Sequence, residues 1–135
     1  MLHRKFIKYV LGVSNSCPNM AIYGDTGEIP LSLKGIRLML TYWYRITNLS
    51  NNTLVKKALL ENINLRTNWI VTIEKLLNSL NLTDSIENRG KFKRTTEVSI
   101  QSKYTAHWNK KLKDVKASRL KFYDSIKTDY LILGN

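Results

Sequence analysis

Cysteine and histidine are scarce in this chain. Its 135 residues include one cysteine, Cys17, and two histidines. A single cysteine excludes an intramolecular disulfide framework and is typical of a reducing compartment. A zinc finger or zinc knuckle built within one chain needs about four cysteine or histidine ligands, more than are present here. We therefore expect no metal site and no other cofactor.

Long hydrophobic runs are also missing. The longest apolar stretch, residues 31–46, contains three Lys or Arg residues and falls short of a membrane span. The N-terminus begins like a signal peptide, but Lys8 interrupts its apolar part and no small-residue cleavage pattern follows. We expect an intracellular protein, cytoplasmic or nuclear, without a membrane partner. A mitochondrial location is the alternative, because residues 1–24 are basic and acid-free, as in a transit peptide.

Acidic residues are few as well, and the resulting positive charge is concentrated in one region. The chain has 22 Lys and Arg against 10 Asp and Glu, a formal net charge of +12. Residues 89–121 hold eleven of these bases and only two acids, Glu97 and Asp114, whereas residues 13–88 are nearly neutral. A strongly basic balance indicates a polyanionic partner. We therefore expect the partner-binding chemistry to lie in the C-terminal part.

What the chain does contain is helical periodicity. Apolar residues recur every three or four positions, which is typical of amphipathic helices, and no strand-like alternation competes with them. Helices are expected over about 2–11, 18–23, 31–47, 54–63, 67–80 and 96–128. Gly24 and Gly27 are expected to end the second helix, with a turn at 25–27. The helix at 31–47 is apolar on nearly every face, which predicts a place in the core or at an interface.

These elements predict an all-α fold. A chain of this length with 43% hydrophobic residues can bury a core, so we expect a single compact domain of about five or six helices. Its expected parts are a near-neutral helical core at 1–80, a polar basic loop at 81–95, a long basic amphipathic helix or kinked helix pair at 96–128, and a tail at 129–135.

In the helix predicted at 96–128, apolar and basic residues lie on opposite sides. At about 100° per residue, an arc of about 120° collects Ile100, Tyr104, Trp108, Leu112, Val115, Phe122 and Ile126. The other side collects Lys103, Lys110, Lys113, Lys116, Lys121 and Lys127. Solvated lysine faces usually carry interspersed glutamates, yet Asp114 is the only acid between 109 and 121. This favours nucleic-acid contact over an acidic protein, a membrane surface or a plain solvated face.

We expect phosphate contacts from this helix and from the loop before it. The candidate nucleic-acid-binding residues are Arg89, Lys91, Lys93, Arg94, Lys103, Lys110, Lys111, Lys113, Lys116, Arg119 and Lys121. Such contacts are salt-sensitive and largely independent of sequence. The aromatic residues, including the Tyr-Trp-Tyr triplet at 42–44, have helical core spacing, which favours core packing over base stacking. Tyr23 and Tyr44 are the most plausible exceptions.

The sequence offers little for catalysis. His107 stands beside Trp108 without a nearby carboxylate, which favours a structural or surface histidine. Cys17 precedes Pro18 and fits a small buried thiol better than a reactive thiolate. The acids are scattered, and no pair of them is placed to bind two catalytic metals. We expect no enzymatic activity.

Spaced motifs along the chain resemble a known family. They are KFIKYVLGVS at 5–14, PNMAIYG at 18–24 and GEIPL at 27–31, followed by Tyr42-Trp43, Trp69-Ile70, Trp108-x3-Leu112 and Leu120-x2-Tyr123-x3-Lys127. Over about residues 4–130 this pattern resembles the region downstream of the reverse transcriptase in non-LTR (LINE-type) retrotransposon polyproteins. In that family the polymerase, with its aspartate-pair motif, lies upstream, and a Cys/His-rich segment follows.

The resemblance implies a module derived from such a polyprotein and truncated before the Cys/His-rich segment. Post-polymerase regions of these elements help to hold nucleic acid. The leading hypothesis is a non-catalytic module that binds RNA or DNA through phosphates with low sequence specificity. One alternative is a helical interaction module that packs on a polymerase domain, or on itself, through the apolar helix at 31–47. Another is a remnant with no selected function.

Overall fold

The computed structural model describes residues 2–113, and every regular element in that range is helical. The helices are α1 (Leu2–Val10), α2 (Asn19–Thr26), α3 (Leu31–Thr47), α4 (Leu54–Asn64), α5 (Asn68–Ser79) and α6 (Arg89–Lys113), with a 3-10 turn at Thr83–Ser85. The all-α prediction is confirmed. The predicted continuation of the last helix to 128 and the tail at 129–135 lie outside the described residues.

Local capping chemistry accounts for several helix boundaries. Thr53 occupies the N-cap of α4, and its side-chain oxygen accepts a hydrogen bond from the backbone N–H of Lys56. Gly27 ends α2 in the left-handed conformation with a φ of 65°. The expected stop at Gly24 is wrong, since α2 continues through this residue to Thr26. A glycine inside a helix weakens it but ends it only where the backbone turns left-handed.

The polar loop predicted at 81–95 is wrong from residue 89 onwards, where α6 begins. The side-chain Oδ1 of Asn88 accepts hydrogen bonds from the backbone N–H groups of Gly90 and Lys91, at 2.9 and 3.1 Å. Asn88 thus caps α6, which begins at Arg89 with Gly90 in its first turn. In the preceding turn Leu82 and Ser85 are buried, whereas Thr83, Asp84 and Glu87 are exposed.

The described residues form two compact units. The first unit comprises residues 2–31 and 101–113, and the second comprises residues 32–100. The prediction of one domain over 1–135 concerns residues beyond the described range as well, and it stays a prediction.

The core of the second unit combines aliphatic and aromatic packing. Buried Ile46, Leu59 and Ile70 form one cluster, against which Trp43, Leu49 and Trp69 pack. The rings of Tyr44 and Phe92 stack with centroids 4.6 Å apart. Along α3, Leu40 and Tyr44 face inwards while Leu38 and Tyr42 are exposed. This helix therefore buries one face only, although its sequence is apolar nearly all round.

The core of the first unit is built around Trp108. This indole is 1% exposed, and its Nε1–H donates to the carbonyl oxygen of Met20 at 2.8 Å. Tyr23 and Leu112 complete the buried cluster, and Ile7, Met20 and Tyr104 pack against it. On α1 the packing is unusual: Lys8 is buried, whereas the apolar residues at the predicted helical spacing are exposed, namely Leu2, Phe6, Tyr9 and Val10.

We expect Trp108→Phe to lower the free energy of unfolding by about 2–4 kcal/mol. The smaller ring leaves a void, and the carbonyl of Met20 loses the indole N–H that it accepts. Urea unfolding followed by far-UV circular dichroism measures the loss. The matched control is His107→Ala, one residue away and exposed, which should change stability by less than about 0.5 kcal/mol. Equal losses from the two variants would contradict the central role of Trp108.

Candidate nucleic-acid interface

The basic residues of α6 all lie on its surface. The helix carries eight of them, each exposed: Arg89, Lys91, Lys93, Arg94, Lys103, Lys110, Lys111 and Lys113. These are the candidate residues from the sequence that fall within the described range. The other three, Lys116, Arg119 and Lys121, lie outside it.

A buried stripe determines which positions of α6 remain exposed. Every fourth residue along the helix faces inwards: Phe92, Thr96, Ile100, Tyr104, Trp108 and Leu112, with Tyr104 half-buried and the others buried. Four steps along a helix turn about 400°, so this stripe winds slowly around the axis. None of the eight basic residues falls on it. The sequence pattern identified its last four members and missed the first two, because those positions were expected to lie in or next to a loop.

Four of the cations form a first cluster at the start of α6, in the second unit. Arg89, Lys91, Lys93 and Arg94 occupy the first two turns, and the first turn contains no acid. The N-terminus of a helix already carries partial positive charge, so cations there oppose the macrodipole. This arrangement costs the isolated helix stability and makes the same surface attractive to an anion.

The other four cations form a second cluster, in the first unit. Lys103, Lys110, Lys111 and Lys113 are exposed, and the sequence between residues 98 and 113 contains no acid. No glutamate on this stretch can therefore form the i,i+4 pair that usually accompanies lysines on a solvated helix. Lys110 and Lys113 are three residues apart and repel one another.

The single acid of α6 is compensated within the second unit. The Nη1 of Arg37 on α3 lies 2.6 Å from the Oε1 of Glu97. Both side chains are substantially exposed, at 38% and 55%, so the pair contributes at most about 1 kcal/mol to stability. The pair matters more for the charge of α6, because the only carboxylate of this helix is neutralised by Arg37 of α3. The eight exposed cations of α6 therefore have no carboxylate of their own helix left to pair with.

The two tyrosines singled out for base stacking are not available for it. Tyr44 is buried and stacks on Phe92, and Tyr23 is buried and meets the ring of Tyr104 edge-on, with centroids 6.4 Å apart. The prediction that Tyr23 and Tyr44 are available for base stacking is therefore wrong. Tyr42, expected in the core with its neighbours in the triplet, is instead exposed. An all-round apolar helix does not indicate which aromatic residue turns outwards.

The residues weighed for other chemistry are not brought together. His107 is exposed, and the thiol of half-buried Cys17 makes a long contact of 3.9 Å with the carbonyl of Pro18. Within residues 2–113, no group of three or more His, Cys, Asp or Glu side chains is placed to hold a metal ion. Over the same residues, no helix is both long and apolar enough to traverse a bilayer.

Tyr104 should make the stability of the protein fall with alkaline pH. The pKa of Tyr104 is raised from 10.0 to about 12, mainly by burial and to a smaller extent by the nearby Tyr23. Between these two values the unfolded tyrosine loses its proton while the folded one keeps it. The stabilisation is therefore complete below about pH 10 and is lost as the pH rises towards about 12.

We expect Tyr104→Phe to show a smaller fall in melting temperature than the wild type between about pH 9 and about pH 12. Thermal unfolding by circular dichroism measures both slopes. Tyr42→Phe, at an exposed tyrosine, is the matched control and should retain the wild-type slope. Identical slopes in all three proteins would contradict a raised pKa at Tyr104.

Against known proteins, the chain matches no family model, no curated protein and no solved structure, and the resemblance to retrotransposon polyproteins therefore stays a prediction.

Proposed function

We propose that this protein is a non-catalytic module that binds RNA or DNA through phosphate groups with low sequence specificity. The observation that supports the proposal is the charge of α6: eight exposed cations, with the only acid of the helix paired to Arg37. A retrotransposon polyprotein as its origin is part of the proposal and rests on the spaced motifs alone.

The kind of binding follows from the kind of side chain. Exposed lysines and arginines attract phosphates by charge and release condensed counterions, which gives affinity without reading bases. The burial of Tyr23 and Tyr44 removes the two aromatic residues that could have added stacking from the core. We therefore expect similar affinity for unrelated sequences of equal length and a steep loss of affinity with salt.

The second cluster provides the sharpest test. We expect the triple variant Lys110→Glu, Lys111→Glu and Lys113→Glu to weaken binding of an RNA of about 20 nucleotides by about 100-fold or more. Fluorescence anisotropy at about 50 and about 200 mM KCl measures affinity and salt dependence together. For the wild type, the logarithm of the affinity should fall with the logarithm of salt at a slope of about −3 or steeper.

A matched triple variant separates local charge from net charge. Arg45, Lys57 and Lys75 are exposed and lie outside α6, so reversing them to Glu changes the net charge by the same amount. This control should weaken RNA binding by less than about 5-fold. Equal effects from the two triple variants, or no binding by the wild type at low salt, would refute the proposal.

The first cluster can be tested without loss of helix stability. Replacing Lys91, Lys93 and Arg94 by Glu places acids near the N-terminus of α6, where the macrodipole favours them. We expect this variant to be at least as stable as the wild type and to bind RNA or duplex DNA about 10-fold more weakly or worse. Unchanged affinity would confine the interface to the second cluster.

A second candidate function, protein interaction through α3, is supported by its exposed apolar residues. Leu38 and Tyr42 are four residues apart on this helix and are 63% and 55% exposed. Self-association that persists in high salt and is removed by Leu38→Ser with Tyr42→Ser, without any nucleic-acid binding, would favour this function over the first.

A further inference from the structure

The first unit contains a cavity whose described lining residues carry cationic and amide side chains. Its volume is about 450 Å³, and the described residues that line it are Arg4, Lys5, Lys8, Asn15 and Asn19. Three of these side chains are cationic, two are neutral amides, and none is acidic. The sequence contains no acid before Asp25, so the absence extends along the whole of α1 and the connection to α2. None of these five residues belongs to the basic clusters of α6.

Lys8 is the most informative residue of this cavity. Its side chain is buried at 8% exposure, and its Nζ donates to the backbone carbonyl of Asn15 at 2.7 Å. An ammonium group has three protons to donate, and no carboxylate within residues 2–113 is paired with this one. A charge withdrawn from water is costly unless it is paired, and an anion in the cavity would pair with this ammonium group.

Arg4 and Lys5 add positive charge to the same cavity as Lys8. Arg4 and Lys8 are four residues apart on α1 and repel one another across one turn. The loop that follows is fixed by backbone hydrogen bonds, including one from the N–H of Val13 to the carbonyl of Lys8 at 3.0 Å, with Gly12 at a φ of 65°. The cations line one recess, and an anion among them would relieve their mutual repulsion.

We propose that this cavity binds the phosphate group of a phosphorylated ligand of about nucleotide size. The volume falls within the range of about 300–1,000 Å³ typical of small-ligand sites. The guanidinium of Arg4 can form two parallel hydrogen bonds to phosphate oxygens, and the ammonium of Lys8 acts as a point charge from the wall. The side-chain amides of Asn15 and Asn19 are neutral donors suited to the remaining oxygens or to the rest of the ligand.

Two sources of this phosphate fit the same chemistry, and the experiment separates them. Isothermal titration with pyrophosphate, AMP, adenosine and a dinucleotide with or without a 5′-phosphate compares a free ligand with the end of a strand. We expect at least one phosphorylated probe to bind with a Kd below about 1 mM at low salt and adenosine not to bind. Binding of the 5′-phosphorylated dinucleotide alone would assign the site to a strand end, and binding of AMP would assign it to a free nucleotide.

The variants are chosen so that folding does not decide the result. Arg4→Gln and Lys5→Gln change exposed residues of α1 and should each weaken phosphate binding by about 10-fold. The matched control is Arg45→Gln, at an exposed arginine of the second unit, which should have no effect. Lys8→Met adds the test of the buried charge, and its fold is checked by circular dichroism.

The outcome for this site is independent of the proposed function. The triple variant at Lys110, Lys111 and Lys113 should retain AMP or pyrophosphate binding, whereas Arg4→Gln should retain most of the affinity for RNA. Absence of binding by every phosphorylated probe at about 5 mM would overturn the proposal. Binding that is unchanged in both Arg4→Gln and Lys5→Gln would do the same.

Discussion

The buried stripe of α6 serves the cores of both units and decides where the helix can carry charge. It supplies Phe92, Thr96 and Ile100 to the second unit and Trp108 and Leu112 to the first. Thr96 fits in the stripe because its hydroxyl donates to the carbonyl of Phe92 at 2.7 Å, which satisfies its polar group. Since every fourth position is committed to packing, the cations of the helix are left on the surface.

Charge on this surface opposes the stability of the helix that carries it. Cations in the first turn oppose the macrodipole, and like charges such as Lys110 and Lys113 repel, each effect costing a few tenths of a kcal/mol to about 1 kcal/mol. A helix that only had to cover a core would gain from glutamates at these positions. The observed composition makes physical sense when a polyanion provides the missing negative charge.

The sequence predicted the bounds of most helices well, but it predicted less well which face of each helix is buried. Periodicity was sufficient for α3, α4 and α5, whose bounds agree closely with those expected. The expected stop at Gly24 was wrong because a glycine ends a helix only in the right backbone context. The loop predicted at 81–95 missed the N-cap at Asn88, whose side chain accepts from the N–H groups of Gly90 and Lys91. Which side of α3 turns inwards, and that Lys8 is buried, depend on tertiary packing, which local pattern does not encode.

Buried and exposed cations respond differently to salt, and this difference distinguishes the two proposed anion-binding regions. The Debye length is about 10 Å at 0.1 M salt, so ions screen the exposed lysines of α6 effectively. Lys8, at 8% exposure in a recess, is screened much less. The contribution of Lys8 to phosphate binding in the cavity should therefore depend less on salt than RNA binding by α6 does. The two proposed regions should thus differ in the salt dependence of anion binding, although both are basic and belong to one chain.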